Sequence, residues 1–185
     1  MDGPSRDRKF FRQITVHQLG EQEDRLLAVV ASLTGDAAER DRALARAGVY
    51  LDYAAIIDAY SRRSGDGVEG AEAFRRTVFF VWCSAAYPAC LTGVPELGEV
   101  FEGDVMSWLD DECAAEMLDP QLQWMLGYYY AQYPTVFTRF GNASNLLRVL
   151  DDASCDDWRR AEPSPRDFAA RGLMGYFWRE ILRSA

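Results

Sequence analysis

The sequence predicts an all-α fold, a single-domain irregular bundle of about seven to nine helices with a short extended N-terminal segment. Three observations predict it. Apolar residues recur at three- and four-residue spacing along most of the chain, cap and stop residues divide it into helix-sized pieces, and only one short stretch alternates as a strand would. A chain of 185 residues has the length of one domain, and 49% hydrophobic with 13% aromatic residues is ample for a packed core.

Residues 1–20 read as an N-terminal arm, and 21–185 as the helical domain. Within the arm, residues 11–17 look extended because Ile14 and Val16 alternate with Thr15 and His17. The first helix is expected over 21–33, where Leu26, Leu27, Val30 and Leu33 fall on one stripe before Thr34-Gly35 stops it. Asp36 then offers an N-cap with Glu39 three residues on, opening a segment to Tyr60 that bends at Gly48. A loop follows from Arg62 to Gly67, and residues 68–86 form the most apolar helix, ended by Tyr87-Pro88.

Shorter helices come next. Pro95 starts a turn over 96–101 that Gly103 ends, and Asp104 caps 105–118. Asp119-Pro120 opens 121–132, and Pro134 closes it. After Asn142 comes 146–150, and Ser164-Pro165-Arg166-Asp167 caps 168–182.

Composition removes several classes of function. The net charge of -9 argues against general binding of nucleic acid or of an anionic membrane, since both require a basic surface. Two uncharged stretches, 77–95 and 120–138, are 19 residues each, but both carry interior prolines and the second also carries glutamines and tyrosines. Buried helices account for them better than membrane spans. No signal-peptide pattern opens the chain, so a cytoplasmic address is expected. Lys9 is the single lysine among 20 basic residues, a bias that a GC-rich bacterial genome produces.

Cys83, Cys90, Cys113 and Cys155 form no Cys-x-x-Cys pair and read as buried free thiols. His17 is the one histidine, which excludes zinc sites built on several histidines and di-iron bundles. Neither a metal nor a cofactor is expected.

Charge is distributed unevenly. Between Arg76 and Arg139 lie 62 residues without a lysine or arginine, and all nine acids within them fall between Glu96 and Asp119. They are Glu96, Glu99, Glu102, Asp104, Asp110, Asp111, Glu112, Glu116 and Asp119. On a helix over 105–118, Met106, Leu109, Cys113 and Met117 share a core-facing stripe, Asp104 and Asp111 project opposite, and Glu112 and Glu116 lie one turn apart on a flank. No cation within that helix offsets the repulsion. The expected function is a non-catalytic, acidic, protein-binding factor of the inhibitor, immunity or regulatory kind. These acids would dock a basic protein surface, with Trp108 as aromatic anchor.

Two other readings compete. Asp110, Asp111, Glu112 and Glu116 with Asp151, Asp152, Asp156 and Asp157 could hold magnesium in an all-α enzyme acting on a phosphorylated or diphosphate substrate, although the second cluster has turn composition. Trp124, Tyr128, Tyr129, Tyr130 and Tyr133 crowd one short helix and could line a small-ligand pocket. Consecutive tyrosines cannot all face inward, so at least one hydroxyl should reach solvent, a cavity or a partner.

Overall fold

The computed structural model describes residues 14–65, 67–152 and 164–184. They form ten α-helices in chain order, eight of them of seven or more residues: α1 (Val16–Ser32), α2 (Ala37–Arg46), α3 (Val49–Ser61), α4 (Gly67–Ala86), α5 (Ala89–Thr92), α6 (Glu99–Ala114), α7 (Pro120–Gln132), α8 (Thr135–Thr138), α9 (Ser144–Asp152) and α10 (Gly172–Ser184). One 3-10 turn, Pro165–Phe168, precedes α10. The all-α expectation holds, and no strand occurs among the described residues.

α4 is the axis of the bundle. α1, α3, α6, α8 and α10 all pack against it. Val78, Phe79, Phe80, Val81 and Trp82 are buried on every side, which is why that stretch is apolar without a polar face. Each such side chain contributes about 1.5–3 kcal/mol by leaving water. No described helix is long and apolar enough to cross a membrane.

Several helix ends form as the local signals require. Asp36 and Glu39 make a reciprocal capping box on α2, Gly48 at φ +74° separates α2 from α3, and Asp119 accepts from the Leu122 N–H ahead of Pro120 on α7. Four expectations are corrected. Val16 and His17 are not extended but open α1, because Thr15 and Gln18 form their own capping box, and residues 16–20 of the expected arm are therefore helical. Phe11 to Gln13 lie outside the described residues. Gly103 and Asp104 neither end nor start a helix; both sit inside α6, where Gly103 leaves room beside the Phe140 ring. The helix expected to reach Leu118 stops at Ala114, since Glu116 takes a left-handed conformation at φ 57°, and Met117 is consequently 67% exposed rather than core. Ser164 and Asp167 do form a capping box, but on the 3-10 turn, and α10 restarts at Gly172.

Other helix ends are satisfied across the fold. Glu69 of α4 accepts from the Val16 N–H at 2.8 Å, and the Arg40 guanidinium donates to the Leu33, Val30 and Cys90 carbonyls, closing the far end of α1. Glu23 of α1 accepts from the Leu173 N–H in the first turn of α10 at 3.0 Å. Gly172 makes room for that carboxylate. A Cβ there would stand 2.4 Å from Glu23 Oε2, and the residue's φ is +55°. Gly172→Ala is therefore expected to destabilise the protein by about 2 kcal/mol or more in urea unfolding, through left-handed strain and displacement of Glu23.

Candidate functional site

The nine acids between Glu96 and Asp119 divide into two groups. Three are used by the fold. Glu102 is buried and pairs with Arg139 at 2.6 Å. Asp110 accepts from the Leu146 N–H at 2.8 Å and from Asn145 Nδ2 at 3.0 Å, capping α9 from α6. Asp119 pairs with Arg75 at 2.8 Å while capping α7. The other six, Glu96, Glu99, Asp104, Asp111, Glu112 and Glu116, have no guanidinium within 4 Å among the described residues, and all but the half-buried Glu112 are exposed.

Helix geometry explains the division. Met106, Leu109 and Cys113 turn into the core, while Asp104 and Asp111, seven residues apart, share the outward face. Glu102 and Asp110 lie toward α9 and Arg139. Glu112 lies on the opposite flank, near Trp108, which itself packs against Phe74 of α4 with ring centroids 4.5 Å apart. Trp108 is thus half-buried packing rather than a free-standing anchor. Glu116, beyond the helix end, no longer stacks one turn from Glu112.

The two ends of α6 differ electrostatically. Glu99 and Glu102 occupy its first turn, where the helix dipole favours negative charge. Burial nevertheless raises the Glu102 pKa; Arg139 opposes the shift, and nearby Glu96 and Glu99 add to it. At the other end Asp111 and Glu112 face the negative pole, and no basic residue stands in the last turn. Such a placement costs roughly 0.3–1 kcal/mol per charge. Arg148 of α9 lines a surface hollow with Glu116 but forms no ion pair with it.

The aromatic helix α7 is mostly core. Tyr129 is fully buried, stacks on Trp82 with centroids 4.4 Å apart, and accepts from Trp178 Nε1 at 3.1 Å. Trp124 and Tyr128 pack on Trp178. The hydroxyl expected to face outward is that of Tyr130, which donates to Asp151 at 3.0 Å, and Tyr133 is partly exposed beside Tyr87 and Trp82. The rings fill the space between helices with one another.

Among the described residues, the carboxylates considered for magnesium do not converge. Asp110 is bound to the start of α9 and Asp151 to Tyr130, and among the described residues no three ligand-type side chains gather. Asp156 and Asp157 lie outside those residues. Cys83, Cys90 and Cys113 are buried free thiols, and burial raises the Cys83 pKa to about 12; Cys155 is not among the described residues. His17 is exposed, 3.7 Å from Glu21.

A buried polar network leaves little trace in the sequence. Glu23 Oε1 accepts from Tyr60 Oη at 2.5 Å and from Arg76 Nη1 at 3.1 Å, while Arg76 Nε donates to Glu72 at 2.8 Å. Glu72 also holds Arg75 at 3.1 Å and lies 3.4 Å from Arg171, which donates to Gln121. The only local signal is the pairing of Glu72 with Arg75 and Arg76 at i+3 and i+4. Glu23 looks like one more solvated acid on the polar side of its helix. Burial raises the Glu23 pKa from 4.5 to about 7, outweighing the Arg76 charge and the hydrogen bonds from Tyr60, Leu173 and Arg76.

Comparison of the chain with known protein families, with curated proteins and with solved structures finds no match.

Two outcomes are expected. Because folded Glu23 keeps a proton that the unfolded chain releases, its titration stabilises the fold fully below pH 4.5 and progressively less as pH rises through about 7. Subtracting the pH profile of Glu23→Gln from that of the wild type, each measured by chemical denaturation, should isolate this fall; a flat difference from pH 5 to 8 would refute it. Asp110→Ala should cost about 0.5–2 kcal/mol by uncapping α9, while Asp104→Asn, on the outward face, should cost less than about 0.5 kcal/mol.

Proposed function

We propose that this protein is a non-catalytic binding factor whose acidic surface, along the outer face and C-terminal end of α6, docks a basic surface of another protein. One observation carries the reading: Asp111 and Glu112 stand at the negative end of the α6 dipole with no cation in the last turn. Glu116 and Asp104 extend the same unpaired charge. Glu102, Asp110 and Asp119 each repay their place through a cap or an ion pair, whereas these four have no such partner inside the described fold, and Asp111 and Glu112 also oppose the helix dipole. A cationic partner would remove the repulsion on contact and be steered there by the field. An inhibitor, immunity or regulatory role fits such a surface.

The test separates docking from folding because, among the described residues, the four carboxylates hold no other part of the chain. Asp104→Asn, Asp111→Asn, Glu112→Gln and Glu116→Gln are combined and compared with the wild type for retention on an immobilised basic protein between 50 and 500 mM salt. Wild-type retention should weaken steeply with salt, and the quadruple variant should be lost at low salt while its melting temperature is unchanged or higher. Equal, salt-insensitive retention of both proteins would overturn the proposal.

A further inference from the structure

Beside the C-terminal end of α6 lies an open groove of about 160 Å³. Its walls are mostly apolar: Ala71 and Phe74 from α4, Trp108 from α6, Leu118 from the α6–α7 connection and Leu122 from α7. Two carboxylates border it, and they differ. Asp119 is engaged by Arg75 and by the Leu122 N–H. The Glu112 carboxylate is half-buried and, among the described residues, has neither an ion pair nor a hydrogen bond. Gly65 and Gly67 form the remaining rim.

Building on the acidic docking face, we propose that this groove is the specificity pocket of that face and takes one arginine side chain of the basic partner. The chemistry of the walls distinguishes arginine from lysine. An arginine's methylene stem would lie along Phe74, Leu118 and Leu122, its planar guanidinium would meet the Trp108 ring, and Glu112 would accept its N–H groups. Lysine satisfies the charge but not the planar stacking or the paired hydrogen bonds. Burial of Glu112 between Trp108 and the end of α6 strengthens the pairing relative to a fully solvated carboxylate, and Asp111 and Glu116 add field without entering the groove.

The full chain is titrated at low salt with amide-capped hexa-arginine and hexa-lysine peptides, following affinity and the Trp108 indole N–H resonance, assigned with Trp108→Phe. The wild type should bind the arginine peptide about two- to fivefold more tightly than the lysine peptide, with the Trp108 signal shifting only for arginine. Ala71→Leu fills the groove without altering charge, and Glu112→Gln leaves it open but removes the acceptor. Each should abolish the arginine preference while both peptides still bind through the surrounding acids. The proposal is overturned if the two peptides bind the wild type equally with Trp108 unmoved, or if the preference survives both substitutions. Should neither peptide bind the wild type at all, the docking face fails and the groove with it, an outcome distinct from loss of the preference alone.

Discussion

A single carboxylate, Glu23, fixes how the helices of this protein sit together. It is wholly buried, and its oxygens collect donors from α3 (Tyr60), α4 (Arg76) and the first turn of α10 (Leu173), elements up to 150 residues away in sequence. A buried charge is tolerated only when its partners are in place, because removing one leaves the other stranded in a poor dielectric. Any shift of α10 relative to α1 would do that. Gly20 and Gly172 are the corresponding gaps in the packing: a Cβ at either would meet Arg76 or Glu23 within 3 Å. The network continues outward through Glu72 and Arg75 to Asp119, so the core and the base of the acidic region belong to one chain of contacts.

The same device recurs at smaller scale. Short helices joined by short connections expose many unsatisfied backbone groups, and side chains from other helices satisfy them: Glu69 for α1, Glu23 for α10, Asp110 for α9 and Arg40 for the end of α1. This use of acids explains part of the negative composition without reference to function. The remainder, concentrated on the outside of α6, has no such role among the described residues. Separating acids that hold the fold from acids that oppose it is therefore what turns a charge imbalance into a located surface.

Particular residues show where local reading succeeds. Asp36 with Glu39, Asp119 with Pro120, and Ser164 with Asp167 act within one turn, so their signals survive whatever the rest of the chain does. Gly103 and Asp104 fail as punctuation because glycine costs only about 1 kcal/mol inside a helix, and burial of Val105, Met106 and Leu109 carries α6 through them. Glu116 fails in the other direction, its left-handed backbone ending the stripe that would have buried Met117. The Thr15–Gln18 box at the start of α1 is hidden in the sequence by the alternation of Ile14 and Val16, a pattern too short to show which structure forms.

The amino-acid order by itself determined the helical class, the apolar axis at residues 77–86, most cap positions and the concentration of acid between Glu96 and Asp119, since each depends on spacings of four residues or fewer or on composition alone. Only the tertiary structure decided which of those acids are spent on Arg139, Arg75 and the start of α9, that the tyrosines of α7 are packing, and that Glu23 is buried. Those outcomes depend on groups 35 to 150 residues apart meeting across helices, and no local period encodes which distant donor a carboxylate will find.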